Sequence, residues 1–360
     1  MKVLFLMNHI IMGGLEKVLL QYIDYLNASG EQVTVLSRET VSDKYFLDFF
    51  KSHNINLVIL NNHKPHFFLN KIFAKCLAAI RLHKNISKND VIVDFANFSF
   101  IKELKKVAKQ KIGYCHGSIL FFDSMIDKSV LDIYDNIVCL SDSFKQDFIK
   151  LYPQYSNKIH RIYNPINVQS VRNLTNKDVS IKRPCFVAVQ RLNSADKDVA
   201  TIIKAFNIFS EHYPRYSLYV IGDGPQRSEL ENLAKDNKQI IFTGQINNPY
   251  PYIRRSRALI LSSTNTIGEG LPNTLLEAQS LGVLAISSDV PSGPKEILLN
   301  GQAGLLFTAG NHNELANILI DIANKKYNVD KILKQATKNL DRFNLENNVN
   351  KLSNLIRRNV

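Results

Sequence analysis

Cysteine is sparse and scattered: Cys76, Cys115, Cys139 and Cys185 are far apart, and none stands in a C-x-x-C spacing. That speaks against a disulfide-stapled scaffold and a structural zinc site, and for a reducing compartment. Long apolar runs are also missing. The opening run Val3 to Met7 is shorter than the core of a signal peptide and is soon followed by Asn8 and His9. No run approaches the ~18 residues that a bilayer crossing needs. The expectation is a soluble protein, cytoplasmic, attached at most to a membrane surface. Low-complexity tracts and sequence repeats are absent too. Acidic residues are in deficit, 32 Asp plus Glu against 45 Lys plus Arg, for a formal net charge of +13.

What is there suits a globular enzyme-sized chain. At roughly 100–200 residues per domain, 360 residues suggest two domains, each with its own core. Hydrophobic residues at 45% and charged residues at 21% exclude disorder and coiled coil. Short apolar runs alternate with amphipathic segments, the pattern of an α/β protein with parallel sheets. Strands are expected at 2–7, 32–36, 57–60, 91–94, 111–115 and 136–140. After a polar stretch the series restarts at 185–189, 217–221, 240–243, 258–261, 283–287 and 304–307. Helices of the second series are expected near 197–212, 225–235, 272–281 and 311–323. The expected division is a first domain over 1–164, a linker over 165–183, a second domain over 184–343, and a terminal helix within 344–360 that crosses back. Two such sheets place the carboxyl ends of their strands on either side of a shared cleft, a geometry suited to a nucleotide-linked substrate.

The stretch EGLPNTLLEAQSLG, residues 269–282, carries the most chemistry. Pro272 suits the first helical position, so Glu269 falls on the preceding loop and Glu277 inside the helix. The amides of Asn273, Thr274 and Leu275 then lack intrahelical partners, and with the helix dipole they form a diphosphate site. Carboxylates repel a diphosphate, so Glu269 and Glu277 would accept from sugar hydroxyls instead; the plainer alternative is a solvated Glu277 and a Glu269 that only complements the dipole. In VAVQRLNSADKD, residues 187–198, Arg191 and Lys197 emerge at the end of a strand, where they would neutralise a leaving diphosphate or simply occupy a solvated loop. Gly13 and Gly14 follow the first strand and permit close backbone approach, or else a turn that needs positive φ.

These motifs together resemble glycosyltransferase family 4, retaining enzymes of the GT-B fold, over essentially the whole chain. The shared pattern is Gly13-Gly14, His116 in YCHGS, Arg191 with Lys197, GDGP at 222–225, FTG at 242–244, and Glu269 with Glu277 in an E-x7-E spacing. The resemblance implies two Rossmann-like doubly wound sheets facing a central cleft. It implies that Arg191 and Lys197 hold the donor diphosphate, Glu277 the ribose, and Glu269 the donor sugar. Phe242 to Gln245, with Gly244, would frame the base, and His116 would lie beside the sugar from the first domain. Gly270 belongs to the same donor site. It further implies a UDP-sugar donor, a glycan or glycolipid acceptor of bacterial surface polysaccharide or lipopolysaccharide, and no metal or other cofactor. Three segments depart from the pattern: a long loop Ser262–Gly268, DVPSGPKEIL at 289–298, and NPIN at 164–167. The neighbouring possibilities are an epimerase of the same fold, which the E-x7-E spacing disfavours, and a non-catalytic glycan-binding scaffold. A nicotinamide enzyme is further off, because Arg227 stands where GDGPQR would need a third glycine.

The charge excess is local. Residues 64–111 hold eleven Lys/Arg against three acids, +8 of the +13. Within HFFLNKIFAKCLAAIRLHK, residues 66–84, Phe68, Ile72, Phe73, Cys76, Leu77 and Ile80 recur at helical spacing with Lys71, Lys75, Arg81 and Lys84 on other faces. The helix either packs its stripe on the first sheet or rests on an anionic bilayer. Packing alone does not explain the local charge, and the resemblance to family 4 implies a peripheral place at the cytoplasmic face of the inner membrane. No nucleic-acid module or stacking platform is present.

Overall fold

The protein is described by a computed structural model covering residues 1–39, 41, 43–61, 68–126, 128–176, 179–193 and 195–358, with the side chains of residues 68–73 and 125 outside the description. The first sheet holds β1 (Lys2–Met7), β2 (Gln32–Ser37), β3 (Asn56–Ile59), β4 (Val91–Asp94), β5 (Gln110–Cys115), β6 (Asn136–Cys139) and β7 (Ile159–Arg161), in the order β3-β2-β1-β4-β5-β6-β7. The second holds β8 (Cys185–Val189), β9 (Ser217–Ile221), β10 (Ile240–Gly244), β11 (Ala258–Leu261), β12 (Leu284–Asp289) and β13 (Leu305–Thr308), in the order β10-β9-β8-β11-β12-β13. Neighbouring strands pair in parallel throughout. Both sheets are thus doubly wound, the GT-B arrangement.

Parallel strands covered by helices on both faces are buried on both faces, which is why they read as unbroken apolar runs. Val3, Leu4, Phe5 and Leu6 are all fully buried, as are Phe186, Val187 and Ala188 in the matching strand of the second sheet. The expected strands stand within two residues of their places. One strand was not expected: β7, the edge of the first sheet, is three residues long and two of them are His160 and Arg161. An edge strand with one pairing side tolerates polar residues that hide the apolar signal.

Order reversal gives each sheet a switch point, between β1 and β4 and between β8 and β11, where ligands bind in doubly wound sheets. Gly13-Gly14 follows β1, and the loop from Arg191 to Lys197 follows β8. The terminal helix Leu345–Arg357 buries Val349, Leu352, Leu355 and Ile356 and lies against the helix Gly14–Ala28. Tyr25 donates to Asn350 at 3.0 Å, Arg357 pairs with Glu31 at 2.8 Å, and Gln110 donates to the Leu355 carbonyl at 2.8 Å. One apolar cluster, including Ile166, Leu271, Leu275 and Phe343, runs from the first sheet to the second.

Candidate functional site

The loops after β8 and β11 pair with each other through an antiparallel bridge between Lys197 and Ser263. That bridge aims Lys197 at Glu269: its ammonium pairs with Glu269 Oε2 and lies 3.6 Å from Asp196. Ser263 donates to the same Glu269 oxygen at 2.6 Å. Both ends of this pair are mostly buried, so solvent screens it little. Arg191 is different. Its side chain is 70% exposed and pairs with Asp196 at 3.2 Å.

The helix after Glu269 spans Asn273–Ser280, and Pro272 is its N-cap rather than its first residue, because ψ of 110° keeps it extended. The Pro272 carbonyl accepts from the Leu275 amide at 3.2 Å. Of the three amides expected to be open, Leu275 is therefore spent, and Asn273 and Thr274 remain to face the cleft. Asn273 is itself a link between domains: its side chain donates to the Gly14 carbonyl at 2.9 Å and accepts from Asn164 at 3.1 Å. Glu277 is buried and accepts from the Tyr250 hydroxyl at 3.0 Å, with the ammonium of Lys17 at 3.6 Å.

On the first-domain side, His116 packs its ring on Phe95 at 4.4 Å between centroids and stacks on Tyr114 at 5.5 Å. Burial pushes its pKa down to about 3, with the Phe95 carbonyl opposing, so the ring is neutral at neutral pH. Its Nε2 is buried and has no partner among the described residues. The His116 backbone is pressed against Gly270: a Cβ there would overlap the His116 carbonyl oxygen. Gly270 is thus needed for close approach. Gly13 and Gly14 also act through proximity. Neither has positive φ, which removes the turn explanation. A Cβ on Gly14 would sit 3.1 Å from the Asn273 amide, and one on Gly13 would sit 2.5 Å from a Glu16 oxygen.

Gly244 does adopt positive φ, +73°, at the end of β10, and its carbonyl accepts from Gly222 at 2.9 Å. Gln245 beside it is exposed. The structure thus brings Lys197, Glu269, Asn273, Gly14, Gly270 and His116 together at the domain junction, while Glu277 lies one helical turn deeper and Arg191 at the rim.

Several residues of this junction carry no motif. Glu16 is buried, and burial raises its pKa from 4.5 to about 7 against the opposing pull of backbone groups and Arg191. In sequence it reads as an acid that complements a helix start. Lys17 and Tyr250 meet Glu277 only through tertiary packing. The three segments that depart from the pattern form a latch between the domains. Ser292 and Ser141 share a hydrogen bond of 2.7 Å, Glu296 accepts from the Asp142 amide at 2.8 Å, and Tyr163 and Arg342 both bond Glu296. From the long loop, the Ile267 carbonyl accepts from Ser118, and in NPIN, Asn164 donates to the Leu271 carbonyl at 3.1 Å.

The basic segment is corrected in two respects. Lys111 does not belong to the exposed patch: it is buried and donates to the Val107 and Lys109 carbonyls at 2.8 and 2.9 Å. In the helix Phe68–Lys88, Cys76, Leu77 and Ile80 of the expected stripe are exposed, the last by 63%, whereas Leu82 and Ile86 make the buried contacts. Packing of that stripe on the sheet is therefore not what these three residues do. Lys75, Arg81, Lys84 and Lys88 of the same helix are exposed, and so are Lys102, Lys105 and Lys106 further along the chain. Lys64 and the side chains of Phe68, Lys71, Ile72 and Phe73 lie outside the described residues. Among the described residues, no helix is long and apolar enough to cross a membrane.

Comparison with known proteins adds the following. The family Glyco_transf_4, Glycosyltransferase Family 4, matches residues 12–170, and the family Glycos_transf_1, Glycosyl transferases group 1, matches residues 173–340. The chain is 24% identical over 201 residues to the N-acetylgalactosamine-N,N'-diacetylbacillosaminyl-diphospho-undecaprenol 4-alpha-N-acetylgalactosaminyltransferase of Campylobacter jejuni, covering 54% of this chain and 53% of that protein. It is 29% identical over 157 residues to the lipopolysaccharide 1,6-galactosyltransferase of Salmonella typhimurium, 41% of this chain and 42% of that one. The chain thus spans about half the length of these curated relatives. The crystal structure of Anabaena HepE in complex with UDP and glucose superposes with a TM-score of 0.79 at 16% identity, covering 99% of both chains.

Proposed function

The chain belongs to glycosyltransferase family 4, and from that premise we propose that it is a retaining enzyme that moves a hexose or N-acetylhexosamine from a UDP-sugar to a lipid-linked or lipopolysaccharide-type glycan. The observation that carries this reading is the buried group of Lys197, Glu269 and Ser263 in front of the Asn273–Ser280 helix, next to Gly270, on which the His116 backbone of the first domain is pressed. The UDP and glucose held by the structural neighbour support the donor class. The diphospho-undecaprenol in the name of one relative and the lipopolysaccharide in that of another support the acceptor class.

In this reading the donor diphosphate sits at the amides of Asn273 and Thr274, with Lys197 and Arg191 supplying positive charge as the sugar–phosphate bond breaks. Arg191 leaves Asp196 to reach it. No metal is required for charge neutralisation, because those groups provide it. Glu269 accepts from hydroxyls of the donor sugar, and Ser263 fixes the carboxylate for that task. His116, neutral, offers Nε2 to a further sugar hydroxyl. Glu277 takes the ribose hydroxyls once Lys17 and Tyr250 yield, and the backbone at Gly244 and Gln245 frames the base. The acceptor attacks on the face from which the diphosphate departs, so no side chain becomes a covalent nucleophile.

The exposed Leu77 and Ile80, flanked by Lys75, Arg81, Lys84 and Lys88, suit an anionic membrane surface at the cytoplasmic face, where each cation contributes about 1 kcal/mol. That surface would bring a lipid-linked acceptor to the first domain.

The test is UDP release from a panel of UDP-sugars in the presence of undecaprenyl-diphosphate-linked glycans. The wild type releases UDP with at least one donor; Lys197→Ala and Glu269→Ala, folded by circular dichroism, release none above background. Full activity in both variants overturns the assignment.

A further inference from the structure

A second concave site lies away from the cleft, on the free edge of the first sheet. It is a cavity of about 260 Å³ between β7, the helix Asp142–Leu151 and the terminal helix Leu345–Arg357. Lys145, His160, Arg161, Lys351 and Arg358 line it, with Asp142 as the acidic lining group.

That carboxylate is already engaged. Arg161 donates to one of its oxygens at 2.9 Å, Tyr163 donates to the other at 2.9 Å, and Arg342 lies 3.7 Å away. Among the described residues, Lys145, Lys351 and Arg358 have no carboxylate within ion-pairing distance, and the polar contact of Lys351 is a long one to Asn348 at 3.5 Å. His160 is held in place by Asn136 at 2.9 Å. The cations also act on one another. After burial, Lys145 and Arg358 are what depress the pKa of His160, and Arg161 adds to the burial that depresses that of Lys351. Like charges gathered in a concave site at such a cost raise the local concentration of anions and favour those with more than one charge.

We propose that this cavity binds a phosphoryl group, as a phosphate or diphosphate dianion, at a site separate from the donor cleft. The doubly charged tetrahedral group matches the guanidinium fork of Arg358 and the point charge of Lys145 better than a lone carboxylate would. The residues that line the cavity share none with the donor cleft. Asp142 and Arg161 also belong to the latch with Glu296 and Tyr163, so the occupied site adjoins the domain hinge.

The experiment titrates inorganic pyrophosphate into the full chain by calorimetry, in the wild type, in Lys145→Ala/Arg358→Ala, in the charge-preserving Lys145→Arg/Arg358→Lys, and in Arg191→Ala/Lys197→Ala. The result expected is a site whose affinity falls tenfold or more in Lys145→Ala/Arg358→Ala, falls by less than that in the charge-preserving variant, which keeps the charge but not the fork of Arg358, and persists in Arg191→Ala/Lys197→Ala. UDP binding, which reads the cleft, stays unchanged in Lys145→Ala/Arg358→Ala, which also shows that this variant is folded. Vesicles of phosphatidic acid in phosphatidylcholine then separate the sources. Pelleting that depends on Lys145 and Arg358 identifies a lipid headgroup, and pyrophosphate binding without such pelleting identifies a soluble phosphoryl ligand. Pyrophosphate binding that is unaffected by Lys145→Ala/Arg358→Ala, or that vanishes with Arg191→Ala/Lys197→Ala alone, overturns the proposal.

Discussion

On the second-domain side of the cleft, Lys197, Glu269, Asp196 and Arg191 form a chain of ion pairs at the ends of β8 and β11. On the first-domain side, His116 stands uncharged in buried surroundings and Glu16 titrates near neutrality. Both walls are polar, yet one keeps its charges by pairing them and the other loses charge to burial. The difference matches what each wall would face. A diphosphate needs fixed positive charge, while sugar hydroxyls need neutral or singly paired hydrogen-bonding groups that do not repel the departing anion.

The sharpest way to break this contrast is to force the walls apart. Gly270→Ala drives a Cβ into the His116 carbonyl, so transfer falls by roughly a hundredfold and stability by about 1–3 kcal/mol, the usual penalty of overpacking. Initial rates and denaturant unfolding measure both, and a fully active variant would show that the walls need not meet.

Next comes the charge state of the first wall. A carboxyl whose folded pKa is raised from 4.5 to about 7 contributes nothing adverse at low pH; stability is lost as pH rises from 4.5 towards 7, by up to about 3 kcal/mol. Glu16→Gln removes that loss, so the variant gains on the wild type between pH 5 and 7.5 in denaturant titrations. Parallel curves for the two proteins would place Glu16 in water rather than in the protein.

His116→Phe keeps the packing on Phe95 and Tyr114 and removes both ring nitrogens, the unpartnered Nε2 and the one that bonds the Phe95 backbone. We expect transfer at limiting donor to fall about tenfold, the ~1.4 kcal/mol scale of one lost hydrogen bond, with binding of UDP itself unchanged. Equal loss of UDP binding would move His116 from the sugar to the nucleotide. The smallest effect lies outside the cleft: Leu77→Ser/Ile80→Ser should lower binding to phosphatidylglycerol vesicles several-fold, measured by sedimentation, without altering turnover on a soluble acceptor.

The same contrast governs how much was legible in the sequence. Strands buried on both faces write themselves as apolar runs, and β7 escaped because His160 and Arg161 occupy its open edge. The paired charges of the second wall lie in short local motifs, so Lys197 and Glu269 could be found from spacing. Their partner Ser263 could not, because it reaches Glu269 through a bridge between two loops. Glu16 and Lys17 stand one residue beyond Gly13-Gly14, yet burial and the 3.6 Å approach of Lys17 to Glu277 are products of domain docking. The stripe on the Phe68–Lys88 helix has helical spacing in either reading; only the coordinates show that Leu77 and Ile80 face water while Leu82 and Ile86 face the protein.

The central claim is that Lys197 and its neighbours hold the diphosphate of a UDP-sugar. Calorimetric titration of UDP-hexoses and UDP-N-acetylhexosamines into the wild type and Lys197→Ala tests it most directly. The account predicts a saturable site in the wild type and an affinity at least a hundredfold weaker in a folded Lys197→Ala; equal affinity in the two proteins would contradict it.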